Sequence, residues 1–163
     1  MKRSMGRGGG LEVVALKLVL DALRVSEDSN LGKVFGAYYL AEAAGVCIAG
    51  YNVEWSSAGH IYIPNLADTF SEIKTDLASG CNPSEGYSLD KKSAERLRQL
   101  VPLFEEGRAL WFLSSVHYLS AKNGIKNPVE IKDTFRKFGK SYPISKIKKA
   151  LKTLDDYGLG EKA

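Results

Sequence analysis

Residues 108–123 read RALWFLSSVHYLSAKN and form the most apolar helical stretch of the chain. Large apolar side chains cover nearly the whole circumference of this helix, and a helix that is apolar all round is normally buried. Gly124 follows it directly, as glycine does at the ends of many helices. The stretch therefore predicts a central core helix around which a mainly α-helical domain is built.

Six further helices are predicted on either side of the central one. Apolar residues recur three or four positions apart, and Gly, Ser, Asn and Pro separate the segments. The predicted helices cover residues 11–25, 31–44, 65–77, 90–104 and 127–138, and a last helix that opens at Pro143 or Ser145. Asn65 is expected to cap the third helix, and Gly36 to allow a neighbouring helix to approach closely. We predict a single helical domain of about seven helices over residues 11–163.

The helical spacing is lost between residues 46 and 63. Alternating apolar residues over 46–55, and an extended stretch directly before Pro64, predict a short extended or β-hairpin segment. We name residues 51–64 the aromatic segment. Its four conspicuous side chains are Tyr51, Trp55, His60 and Tyr62. One hypothesis is a surface that binds a partner protein, as in an antitoxin or adaptor, because such rings supply large contact area. The alternative is that Trp55 and Tyr62 turn inward and close the core.

Composition and length are those of an ordinary globular protein. Of 163 residues, 44% are hydrophobic and 26% are charged, close to the usual proportions. No apolar run approaches the roughly 20 residues that a membrane helix needs. Residues 1–10 are basic and Gly-rich, and they predict a disordered tail without a targeting signal. We therefore expect a cytoplasmic protein that has no membrane partner.

Nothing in the sequence predicts an enzyme. Cys47 and Cys81 belong to no motif and are expected to be buried, reduced thiols, and with His60 and His117 they lack the spacing of zinc ligands. Phosphate loops, nucleophile elbows and paired-carboxylate motifs are also missing. His117 is interpreted as a core histidine that is hydrogen-bonded to a neighbour. We predict no catalytic residue, no metal and no cofactor.

Positive charge is concentrated in the C-terminal part of the chain. Residues 122–152 contain ten Lys or Arg and two acidic residues, a net charge of +8, whereas the remainder, with 13 basic and 17 acidic residues, carries −4. Residues 122–158 form the basic helix pair, and we expect it to resemble a helix-turn-helix. The residues predicted to bind nucleic acid lie off its apolar stripes: Lys132, Arg136, Lys137, Lys140, Lys146, Lys148, Lys149 and Lys152.

The basic helix pair predicts a regulatory protein that binds nucleic acid, and duplex DNA is the natural candidate. Lysines that contact phosphates give affinity that depends strongly on salt. A homodimer would be consistent with the two-fold symmetry of many such readers. The alternative is a solvated or protein-binding face, because the last helix exposes no Arg, Asn or Gln to read bases.

The order of motifs in the second predicted helix points to a family. Lys33-Val34, then Tyr38-Tyr39-Leu40 and then Gly45 follow one another. This order resembles the opening helix of the YwgA-like proteins, small bacterial and archaeal proteins that are more distantly similar to the Panacea domain of antitoxins. The C-terminal stretch, with a His-Tyr-Leu helix and a final Tyr-Gly-Leu, is also similar. The resemblance implies a regulatory or interaction protein and not a catalyst.

The central hallmark of that family is changed in this chain. In that family, an extended stretch with aromatic residues is followed by a histidine and the motif Tyr-Gly-Pro-Tyr-Ser. A helix comes directly after this motif. Residues 51–55 and 60–64 occupy the equivalent place, but Ile63 stands where glycine is expected. Asn65 and Leu66 replace the tyrosine and the serine.

Overall fold

The structure is a computed structural model that describes residues 10–46, 51–105 and 109–160. These residues form a mainly α-helical fold with a short two-stranded antiparallel hairpin, as predicted. The elements in chain order are α1 (Gly10–Ala22), α2 (Leu31–Ala43), β1 (Glu54–Trp55), β2 (Ile61–Tyr62), α3 (Pro64–Ala78), α4 (Lys91–Glu105), α5 (Leu110–His117), a π-helical segment (Tyr118–Lys122), α6 (Pro128–Lys137) and α7 (Ile144–Asp156).

The predicted central helix is α5, and it continues into the π-helical segment, which the sequence did not indicate. Three buried side chains of α5 and one of the π-helical segment, together with those of all the other helices, form one continuous hydrophobic core. α5 packs against α2, α7 and β2. Its widened continuation keeps Leu119 buried and brings Tyr118 against the ring of Trp55.

α2 and α5 approach so closely that only glycine fits between them at one point. A Cβ atom on Gly36 would lie 2.8 Å from Leu110 Cβ and 2.9 Å from the Leu110 carbonyl oxygen. Ser114 of α5 donates a hydrogen bond across the same contact to the Gly36 carbonyl oxygen, at 3.3 Å. The close approach expected at Gly36 is therefore confirmed.

The hairpin lies across α5 and is held there by hydrogen bonds between side chains of α5 and the backbone of Ile61. In its register Glu54 pairs with Tyr62 and Trp55 with Ile61. The Trp111 indole N–H donates to the Ile61 carbonyl oxygen at 2.9 Å, and the Ile61 N–H donates to the Ser115 hydroxyl at 3.2 Å. α5 thus supplies both the core beneath the hairpin and the polar groups that fix its position.

Some local predictions are wrong. Asn65 does not cap α3, because Ile63 is the N-cap residue and Pro64 occupies the first turn, a position that suits proline. Cys81 is exposed and not buried, because it follows the end of α3 in a surface turn. Cys47 and the predicted tail up to residue 9 lie outside the described residues.

No helix in the described part of the chain is both long and apolar enough to cross a membrane.

Candidate nucleic-acid interface

α6 and α7 pack against each other and present most of their basic residues to solvent. In α7 the side chains of Ile147, Ala150 and Leu154 are buried, so the lysines between them point outward. The exposed basic residues are Arg136, Lys137, Lys146, Lys148, Lys149 and Lys152. Lys132 and Lys140 are half-buried. All eight residues predicted to bind nucleic acid are therefore found on this pair and its connection.

Few of these positive charges are paired with an acidic side chain in the part of the chain that the structure describes. Lys152 lies 3.1 Å from Asp156, and Arg136 lies 3.9 Å from Asp133. Both pairs are exposed, and exposed pairs contribute little free energy, so an incoming phosphate can displace them. Within the described ranges, Lys148 and Lys149 make no ion pair with an acidic side chain. The outer ridge of α7 consequently carries uncompensated positive charge.

Lys146 lies over two aromatic rings. Its Nζ atom is 4.7 Å from the centre of the Phe112 ring and 5.0 Å from that of Tyr142. Phe135 packs under both rings, at 5.7 Å from Phe112 and 4.9 Å from Tyr142. Such cation–π contacts contribute roughly 0.5–1 kcal/mol at exposed sites. Lys146 is therefore held beside an aromatic surface.

The sequence prediction missed this aromatic surface. Tyr142 lies in the connection before α7, ahead of the N-cap residue Pro143, so helical spacing does not predict its contact with Lys146. Phe112 lies on α5, far away in the chain. Its approach to Lys146 depends on how α5 and α7 pack.

The connection between α6 and α7, residues 138–143, is longer than the roughly three- to four-residue turn of helix-turn-helix DNA readers. The hairpin turn packs against it. A Cβ atom on Gly59 would lie 2.8 Å from Phe138 Cβ and 3.1 Å from Lys140 Cγ. The hairpin thus supports the helix pair from one side, and the connection within the pair is longer than that of the DNA-reading motif.

Trp55 of the aromatic segment faces inward and bridges the hairpin to the basic helix pair. Its ring stacks on Tyr118 at 5.7 Å and contacts Phe135 at 5.9 Å and Phe138 at 5.8 Å. Its indole N–H is buried and has no hydrogen-bond acceptor among the described residues. Trp55 therefore belongs to the packing between elements.

The other three aromatic-segment residues divide between packing and exposure. Tyr51 is half-buried, and its hydroxyl is hydrogen-bonded to Thr69 at 2.6 Å. The His60 ring lies 3.8 Å from that of Trp111, and its Nδ1 atom is 2.9 Å from the Ile61 carbonyl oxygen. Only Tyr62 is exposed, at 40%. The four side chains do not form one exposed surface, and a partner-binding role for them stays a prediction.

His117 is buried in the core beneath Tyr39, as expected of a structural histidine. The Tyr39 hydroxyl is 2.8 Å from Nδ1 of the ring. Burial lowers the pKa of His117 from its ordinary value of 6.5, while a hydrogen bond to the backbone of Leu159 acts in the opposite direction. Burial also raises the pKa of Tyr39, so its phenol stays protonated. The interpretation as a hydrogen-bonded core histidine is confirmed.

The lowered pKa of His117 predicts that stability falls in mild acid. As the pH drops below about 6.5, the unfolded chain takes up a proton that the folded protein does not bind, so unfolding becomes easier until the folded pKa is reached. Well above pH 6.5 the ring is neutral in both the folded and the unfolded state, so it contributes no pH dependence to stability there. Urea denaturation at about pH 7.5 and about pH 5.5 should show a larger loss for the wild type than for His117→Gln. Parallel pH profiles of the two proteins would contradict this assignment.

The described residues contain no group of three or more His, Cys, Asp or Glu side chains arranged to hold a metal ion. No family model matches the chain, and no curated protein or solved structure matches it. The class that the fold and the site define is thus a mainly α-helical protein with an exposed basic helix pair. Its resemblance to the YwgA-like proteins stays a prediction.

Proposed function

We propose that this protein is a regulatory protein that binds nucleic acid through the basic helix pair. The observation that carries the proposal is the outer ridge of α7, where Lys148 and Lys149 are exposed and make no ion pair with any described residue. A ridge of this kind suits a row of phosphates, because each ammonium group can replace a condensed counterion.

The surrounding charge strengthens this proposal. Residues 122–152 carry +8, while the rest of the chain carries −4. This asymmetry gives a polyanion a preferred side of the molecule and repels it from the remainder. Phe112 and Tyr142 beside Lys146 add the aromatic surface that often accompanies phosphate-binding cations.

The proposal is tested by titrating labelled duplex DNA at several salt concentrations. The logarithm of the binding constant should fall linearly with the logarithm of the salt concentration. In a Lys146→Glu, Lys148→Glu, Lys149→Glu variant, affinity at low salt should drop by more than about a hundredfold. The slope of the logarithmic salt plot should also become less negative, by about one for each lysine that contacts a phosphate. The physical reason is that three favourable phosphate contacts become repulsions.

A matched control reverses three lysines outside the basic helix pair. Lys74 lies on α3, and Lys91 and Lys92 begin α4. Changing these three to Glu alters the net charge by the same amount, so the control separates a local site from a general charge effect. Failure of the wild type to bind either duplex or single-stranded nucleic acid at low salt, or equal losses in the two triple variants, would refute the proposed function.

A further inference from the structure

A groove runs between α5 and α7 on the side of α7 that carries Lys146 and Lys149. Its volume is about 250 Å³. The floor and walls are apolar and are formed by Ala109, Phe112 and Leu113 of the α5 region and by Ala150 of α7. Lys146 and Lys149 line its rim, and Thr153 closes one end.

The rim and the floor of the groove suit different parts of one ligand. Two exposed ammonium groups above an apolar floor complement a molecule that has an anionic side and a flat apolar side. Pockets for drug-sized molecules are roughly 300–1,000 Å³, so this smaller groove fits a single ring system and not the long apolar face of a partner helix. A nucleotide has this chemistry, because its base is flat and its phosphate is anionic.

A base can reach such a groove only when it is not paired inside a duplex. The exposed face of α7 carries no Arg, Asn or Gln for reading base edges in a major groove. The connection between α6 and α7 is also longer than in the helix-turn-helix motif that inserts into that groove. Base contact is therefore more favourable for an unstacked nucleotide than for intact duplex DNA.

We propose that the groove between α5 and α7 binds an unpaired base of single-stranded nucleic acid, with the flanking phosphates on Lys146 and Lys149. This inference rests on the proposed function and specifies its ligand class. The base enters beside the Phe112 ring, which packs against the Tyr142 ring with 4.6 Å between the ring centres. Lys148 points away from the groove and serves only the phosphate backbone.

The test compares a labelled thymidine oligomer with a blunt duplex that has the same number of phosphates. At equal salt the oligomer should bind about tenfold more tightly, because only its unpaired bases can also bury apolar surface in the groove. Ala150→Leu fills the groove without changing the charge. It should weaken oligomer binding about tenfold and change duplex binding less than about twofold.

Two further variants make the comparison specific. Ala94→Leu adds the same side chain at an exposed position of α4 and should leave both affinities unchanged. Ala109→Leu narrows the groove from an exposed position at the start of α5, so it reports on the groove even if Ala150→Leu unfolds. It should reproduce the selective loss of oligomer binding.

The outcomes separate the two proposals. Binding of neither nucleic acid at low salt overturns the proposed function and this inference with it. Equal binding of both, with folded Ala109→Leu and Ala150→Leu proteins unaffected, overturns only the inference about the groove. An acidic amphipathic peptide that displaces the oligomer and is itself weakened by Ala150→Leu would assign the groove to a protein partner, which also overturns the inference.

Discussion

Replacing Trp55 with alanine is expected to lower the free energy of unfolding by about 3 kcal/mol. This value is the lower end of the range for buried tryptophans, because the Trp55 side chain is only partly buried. The indole ring contacts Tyr118, Phe135 and Phe138, so its loss leaves a cavity where the hairpin meets α6 and the π-helical segment. Urea denaturation followed by far-UV circular dichroism measures the change.

Tyr62→Ala is the matched control within the same hairpin. Tyr62 is 40% exposed and makes one edge contact, with Phe35 at 5.8 Å, so its replacement should cost about 1 kcal/mol or less. Equal losses in the two variants, or an unchanged stability of Trp55→Ala, would show that Trp55 does not close the core. In that case the hypothesis of an aromatic partner-binding segment would gain support.

Replacing Gly36 with valine is expected to cost about 3 kcal/mol or more, because the new side chain collides with the backbone of α5 and not with a flexible side-chain end. The Leu110 carbonyl oxygen lies 2.9 Å from the position of the added Cβ atom, so α2 and α5 must separate. Relief of the glycine's poor helix propensity, worth up to about 1 kcal/mol, acts in the opposite direction and is too small to compensate. Thermal and urea denaturation provide the measurement.

Ala43→Val on the same helix controls for the β-branched side chain. Ala43 is exposed near the end of α2, so the substitution tests helix propensity without a clash, and the cost should stay near 0.5 kcal/mol. If Gly36→Val were as stable as Ala43→Val, the close approach of the two helices would not exist as described.

Helical periodicity predicted the fold class because each helix must bury one face. Apolar residues three or four positions apart form that face, and this spacing can be read directly from the sequence. The central position of α5 followed from its nearly continuous apolar surface, and the need for glycine at position 36 followed from its place inside an otherwise good helix. The π-helical segment escaped prediction because its residues have ordinary helical spacing. The N-cap at Asn65 was wrong because Pro64 begins α3 one residue earlier.

The candidate interface was predictable in part. The exposed lysines of α7 could be read from the sequence, since residues off a narrow apolar stripe mostly face solvent, although Thr153 is buried. The groove beside them could not, because its walls come from α5 and α7, which are separated in the chain by the whole of α6. The aromatic surface under Lys146 was not predicted for a similar reason, because Phe112 lies on α5 and Tyr142 lies in the connection before α7.

The sequence by itself determined which segments are helical, where positive charge accumulates and that His117 belongs to the core, because these properties depend on neighbours within a few residues. Tertiary structure alone decided that Trp55 turns toward Phe135 while Tyr62 remains exposed. In a two-residue strand, alternation assigns opposite faces but does not say which face is covered. That choice was made by α5, whose Trp111 and Ser115 hold the Ile61 backbone and so set the orientation of the whole hairpin.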